Sequence, residues 1–218
     1  LLHRRKLDPN RPIAEAAQGN PLAEKAYHRF HGSIRAALRT AVQAHGFAFL
    51  IDIHGHGHAI PRLELGYAID GGRLNQSDEE LDRDDLAAAS TLNDLFQRKD
   101  VGSFSEVIRG PKSFGGLLQA RGFRSVPSPR DPGPKNALYF NGGHIVRTYG
   151  RDTPGVDGIQ IESPKPGVRE TEEDRKKFAK AVADTLIVFL EEHYRYSIVP
   201  ASLADQSSST VNPTSAIP

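Results

Sequence analysis

The sequence predicts an α/β fold on three observations. A long amphipathic helix opens at Asn20, a continuous apolar run follows it at residues 47–53, and a second long helix opens at Thr171. A chain of 218 residues is long enough for one well-buried core. Residues 1–196 therefore read as a single domain, and 197–218, rich in Ser, Thr, Pro and Ala, as an extended tail with little apolar surface to bury.

Taken in order, residues 1–7 read as a strand that stops at the turn chemistry of Asp8-Pro9-Asn10. Asn20 is an N-cap and Pro21 the first helical residue. Leu22, Ala26, Phe30, Ile34, Leu38 and Val42 recur at helical spacing, and Gly46 is the stop. The run Phe47-Ala48-Phe49-Leu50-Ile51-Asp52-Ile53, ending in His54, reads as a buried strand with polar groups at its carboxyl end. Residues 63–69 form a second strand candidate closed by Asp70-Gly71-Gly72. Ser77-Asp78-Glu79-Glu80 is a capping box opening a helical region towards Lys99. Ser103 to Glu106 starts a short helix and residues 112–121 hold another. Four prolines and a glycine between residues 126 and 135 read as a surface loop, and strands resume at 144–149 and 158–162. Thr171 caps the last helix, which runs through Phe178, Val182, Leu186 and Phe189 to about Tyr194.

With 28 basic and 27 acidic residues, the chain carries no field that would hold a phosphate backbone or an acidic membrane, and no apolar run is long enough to span a bilayer. Neither nucleic acid nor a membrane span is expected. The absence of cysteine leaves His, Asp and Glu as the metal ligands available. The chain also lacks methionine and starts at Leu1, which reads as a truncated or processed product. The compartment stays open between cytoplasm and secretion, with the Asn75-Gln76-Ser77 triplet and the tail leaning to the latter.

The densest chemistry is His54-Gly55-His56-Gly57-His58, just past a strand, where open α/β sheets place their ligand sites. In an extended backbone the three imidazoles would share one side, each successive pair about 6.5–7 Å apart, so they are candidate metal ligands, with Asp52 as an orienting group or a simple strand end. Asn10 and Arg11 could grip a carboxylate with an amide and a planar fork. Glu162, at the end of Ile159-Gln160-Ile161, is a candidate general base. His144, after a double glycine, and Arg147 are candidate contacts for an acidic substrate.

In order, Arg4 with Leu7-Asp8-Pro9-Asn10-Arg11, Tyr27-His28, residues 49–55, Arg62-Leu63-Glu64-Leu65-Gly66 and the stretch from Asn141-Gly142-Gly143-His144 to Glu162 resemble the N-formylglutamate amidohydrolase family, related to zinc carboxypeptidases and aspartoacylases. The resemblance implies a three-layer sandwich around a mixed, mostly parallel sheet, with zinc at the carboxyl ends of its strands. His54 then matches a zinc ligand, Asn10 and Arg11 the pair binding the substrate carboxylate, Arg4 an arginine that steadies the oxyanion, and Glu162 the glutamate that activates water and passes its proton to the leaving amine. The family's first two zinc ligands lie before the Asp-x-Asn-Arg segment, so one of three matches here, with His56 and His58 as candidate substitutes. The expected activity is metal-dependent cleavage of the amide of a small N-acyl amino acid or peptide bearing a free carboxylate. The alternative is a catalytically silent scaffold of the same fold, extracellular or matrix-associated, that binds metal or mineral through its histidine loop.

Overall fold

In the computed structural model of the chain, which describes residues 3–83, 85–98 and 101–198, the helix signals of the sequence are used as read. After a short helix α1 (Ile13–Ala17), the long helix α2 spans Pro21–His45. The Asn20 side chain accepts the N–H groups of Leu22 and Ala23, and Gly46 ends the helix at a φ of 77°, a left-handed geometry open to glycine without steric cost. The buried stripe differs from the predicted one in its first half. Leu22 and Phe30 are exposed, and Tyr27 and His31 face inward with Leu38. These two polar aromatics can be buried because each finds hydrogen-bond partners there.

Four strands form a mixed sheet in the order β1 (Ala48–Gly55), β4 (Val156–Ser163), β2 (Leu63–Gly66), β3 (Ser125–Val126). β1 runs parallel to β4 and β3 parallel to β2, while β2 and β4 are antiparallel. Every residue of β4 is buried. β1, expected to be a buried strand, lies at the edge of the sheet and is only half-buried, with Ile53 57% exposed.

Between β2 and β3 come short helices α3 (Gly71–Leu74), α4 (Asp78–Arg83), α5 (Leu86–Ala89), α6 (Phe104–Arg109) and α7 (Phe114–Ala120). The Ser77–Glu80 capping box forms in both directions, but the helix it opens ends at Arg83 rather than continuing towards Lys99, which lies outside the described residues. The proline-rich stretch from 126 to 135 is not wholly at the surface, since Val126, Pro127, Ser128, Gly133 and Pro134 are buried. The final helix α9 (Glu172–Tyr194) opens with the Thr171–Asp174 capping box.

Two further sequence readings are corrected. Residues 144–149 form a helix, α8 (His144–Gly150), not a strand. Its buried residues Ile145, Val146, Tyr149 and Gly150 follow the helical period, and Gly150 lets it lie directly on Gly158 of β4. The described part of the first segment, 3–7, is a turn, closed by Lys6 N–H to His3 O and by Arg4 on Asp8. Of the tail, residues 199–218 lie outside the described residues. No described helix is long and apolar enough to cross a membrane.

Side-chain alternation divides the core. The odd-numbered positions Leu63, Leu65, Ile159 and Ile161 enter the larger apolar cluster, which includes Phe114, Phe178 and Phe189 of α7 and α9. The even-numbered Ala48 and Val156 meet Leu38 of α2 and Ile145 and Tyr149 of α8. β4 is pinned at its start by Asp157, whose carboxylate accepts Asp94 N–H at 3.0 Å and the Tyr194 hydroxyl at 2.8 Å. Tyr194 stacks on Phe47, and the Arg98 guanidinium lies over both rings.

Candidate functional site

The even-numbered face of the sheet is apolar at its start and polar at the carboxyl ends of β1 and β4. Strand register puts His54, Glu162 and Glu64 in one row across three strands, and Asp52, Gln160 and Gly66 in the next. Across this face runs the segment 141–143. It passes so close to β2 that a Cβ on Gly66 would lie 2.5 Å from Gly142 N. Three hydrogen bonds hold the crossing: Gly143 N–H to Gln160 Oε1 (2.7 Å), Ala68 N–H to Asn141 O (2.7 Å), and Phe140 N–H to Glu64 Oε2 (2.9 Å).

The loop before α1 closes the other side. Asn10 Oδ1 accepts Ile145 N–H at 2.8 Å, and its Nδ2 lies 3.3 Å from His54 Nε2. α2 fixes this loop on either side of Asn10: His31 Nε2 meets Pro9 O at 3.0 Å, and the Tyr27 hydroxyl donates to Arg11 O at 3.1 Å. Because a carbonyl only accepts, His31 carries its proton on Nε2. Its Nδ1 then takes the Tyr149 hydroxyl at 2.8 Å, and the Tyr27 oxygen accepts from His144 Nε2 at 3.1 Å. Burial holds the pKa of both His31 and His144 below the usual histidine value, consistent with neutral rings in this network.

Together these segments enclose a cavity of about 570 Å³ that is lined by Arg4, Asn10, Arg11, His54, His144, Arg147 and Glu162. All seven come from the sequence reading; Tyr139 and Phe140 line it too. Two other cavities, of about 600 and 760 Å³, gather neither imidazoles nor a buried carboxylate. The arginines differ in availability. Arg4 and Arg11 are largely exposed and share Asp8, at 2.7 and 3.7 Å. Arg147 is tied to Gly142 O and Asn141 Oδ1, both at 3.0 Å, and burial lowers its pKa. Asn10, expected to grip substrate, has its Oδ1 taken by Ile145 N–H, while its Nδ2 lies 3.3 Å from His54 Nε2.

Glu162 is 7% exposed. Its Oε1 accepts from Gln160 Nε2 at 3.1 Å, while its Oε2 is buried with no partner. Burial raises its pKa above the usual carboxylate value, against the opposing pull of His54 and His56. His54 shifts upward as well, chiefly because its Nε2 lies 2.9 Å from Asp52 Oδ1. The cleft thus brings together a carboxyl whose pKa is raised by burial and an imidazole whose pKa is raised by a neighbouring carboxylate, the kind of perturbation acid–base chemistry uses.

The three histidines of the glycine-spaced run do not converge. His54 enters the cavity, whereas His56 and His58 turn to Glu64. His56 Nε2 donates to Arg62 O at 2.8 Å, His56 Nδ1 accepts His58 N–H at 3.1 Å, and His58 Nδ1 lies 2.9 Å from Glu64 Oε1. His56, His58 and Glu64 form a group that could hold a metal ion, their ligand atoms lying within 4.8 Å of one another. Among the described residues it is the one such group of three or more.

Sequence reasoning passed over Glu64, Gln160, Tyr27 and His31 as site residues. A signal for the first two was present, since Leu-Glu-Leu-Gly and Ile-Gln-Ile-Glu alternate and must turn their polar members to one face. No family model, curated protein or solved structure matches this chain.

Proposed function

We propose that this cavity binds a small amide bearing a free carboxylate and hydrolyses it, as the resemblance to N-formylglutamate amidohydrolases implies. The observation that carries the reading is the convergence of a buried, half-partnered glutamate with His54 and three arginines, drawn from segments more than a hundred residues apart, on one cavity. The α/β fold and its mixed sheet are consistent with the carboxypeptidase-like three-layer sandwich that the resemblance implies.

The reaction follows from the chain's own groups. Arg11, exposed at the mouth and only loosely paired with Asp8 and Glu15, meets the substrate carboxylate. Glu162 takes a proton from the attacking water and returns it to the leaving amine, a role suited to a carboxyl whose pKa burial has raised. Arg4 faces the charge that develops on the carbonyl oxygen, and Arg147 holds the 141–143 crossing in place.

A zinc ion at His54 does not fit the residues described. The imidazole contributes one donor, its Nε2 already faces Asp52 and Asn10, and no group of three His, Asp or Glu ligand atoms includes it. The steps above are therefore assigned to Glu162 and the arginines alone.

The test is hydrolysis of a panel of N-formyl and N-acetyl amino acids, with acidic and neutral side chains, by the parent chain, Glu162→Gln and Arg11→Ala. Glu162→Gln should lose about 10²–10⁴-fold in kcat. Arg11→Ala should raise KM for substrates with a free carboxylate and leave their amidated counterparts unaffected. Equal rates for Glu162→Gln and the parent would remove Glu162 as the base.

A further inference from the structure

We propose that His56, His58 and Glu64 form a zinc site of their own, distinct from the cavity of Glu162 and from the ligand set the resemblance implies. The outer atoms of His56 and Glu64 are already fixed by backbone. His56 Nε2 faces the carbonyl of Arg62 at 2.8 Å and must carry the proton, which leaves Nδ1 as a lone pair. A carbonyl that fixes the tautomer from behind is the arrangement metal-bound imidazoles share. Glu64 Oε2 takes the N–H of Phe140 at 2.9 Å, which leaves Oε1 turned to His58 Nδ1.

The charge of Glu64 asks for a cation. The residue is fully buried, and strand register places it directly beside Glu162, so two carboxylates share one row of a buried sheet face. Its ion-pair partner among the described residues is His58. Arg62, two positions earlier on the same stretch, is 3% exposed and leaves its Nε and Nη2 without partners instead of compensating Glu64. A divalent ion would neutralise Glu64, which no arginine or lysine among the described residues ion-pairs.

The ligand atoms lie within 4.8 Å of one another, a span that an ion with bonds of about 2.0–2.2 Å closes by modest side-chain rotation. Two imidazoles and one carboxylate suit zinc better than calcium or magnesium, which prefer all-oxygen shells. Binding replaces the proton shared by His58 Nδ1 and Glu64 Oε1 and breaks the 3.1 Å bond from His58 N–H to His56 Nδ1. Three protein ligands leave a coordination position open. His58 also stacks on Phe140 at 4.6 Å, and Phe140 lines the Glu162 cavity, so the ion would adjoin that cavity.

The experiment loads the purified chain with Zn²⁺, measures bound metal after desalting, and records the visible spectrum of the Co²⁺ form. Circular dichroism confirms that each variant is folded. The parent should retain one zinc per chain. His58→Ala and Glu64→Gln should each weaken binding at least about tenfold, and His54→Ala should change it less than twofold. Should the buried Glu64→Gln fail to fold, His56→Gln replaces it and must show the same loss and an altered Co²⁺ spectrum. A folded parent that retains no zinc overturns the proposal, and so does zinc lost in His54→Ala but kept in His58→Ala. None of these readouts depends on hydrolysis, so the amidohydrolase reading and this one fail separately.

Discussion

Asp157 makes the strand that carries Glu162 sensitive to pH in a way that can be worked out. The residue is 1% exposed and burial raises its carboxyl to about 7, in spite of hydrogen bonds from Tyr194 and Asp94 that favour the ionised form. The folded chain therefore holds this proton more tightly than the unfolded one. The stability it contributes is complete below about pH 4, declines as the pH rises, and is gone above about pH 7. Moving a carboxyl from 3.8 to about 7 corresponds to roughly 4 kcal/mol, a large share of the stability of a typical domain. Asp157→Asn fixes the neutral form. Its Oδ1 can keep Asp94 N–H, and its Nδ2 can donate to the Tyr194 oxygen. The variant should match the parent to within about 1 kcal/mol near pH 4.5 and exceed it by about 3 kcal/mol near pH 8.5. The chain has no tryptophan, so urea unfolding followed by far-ultraviolet circular dichroism is the assay. A difference between the two proteins that stays constant from pH 4.5 to 8.5 would refute the reasoning.

Three further outcomes are expected. Gly66→Ala places a Cβ 2.5 Å from Gly142 N and must push the crossing segment off the sheet, at a cost of about 1–3 kcal/mol visible as a lower Tm; an unchanged Tm would show that the crossing is loose. Tyr27→Phe removes the hydroxyl between Arg11 O and His144 Nε2, and should cost about 1–2 kcal/mol in denaturant unfolding together with a lower kcat/KM on anionic amides. Because burial raises the Glu162 pKa, the acid limb of kcat/KM should fall at a pH above the ordinary glutamate range, and a limb at about 4.3 would remove Glu162 from it.

Local signals in the sequence located most elements, and pairing decided what they built. Asn20-Pro21 and Gly46 bound α2 because capping is a contact between near neighbours in the chain, and Thr171 opens α9 for the same reason. His-Ile-Val-Arg-Thr-Tyr reads as a strand by its β-branched residues, yet Ile145, Val146 and Tyr149 bury together only on a helix. The bond from Ile145 N–H to Asn10 Oδ1, 135 residues away, is invisible to local reasoning. The alternating histidines met the same limit. Their spacing placed them on one side of an extended chain, but Glu64 on β2 and the carbonyl of Arg62 draw His56 and His58 away from His54. The polarity of the candidate site was legible, whereas the partner of each polar group depended on strand order.

The bonds that assemble the cavity join residues far apart in the chain: His144 to Tyr27, Tyr149 to His31, and Ile145 to Asn10. The first partner of each pair lies after the exposed Pro129 and Arg130, and the second before them. A chain divided at that point would yield two pieces, one bringing Asn10, Arg11 and His54, the other His144, Arg147 and Glu162. Neither piece alone carries the full lining of the cavity. The cavity is thus a joint between two stretches of chain, and its assembly depends on β2 and β4 pairing across that division.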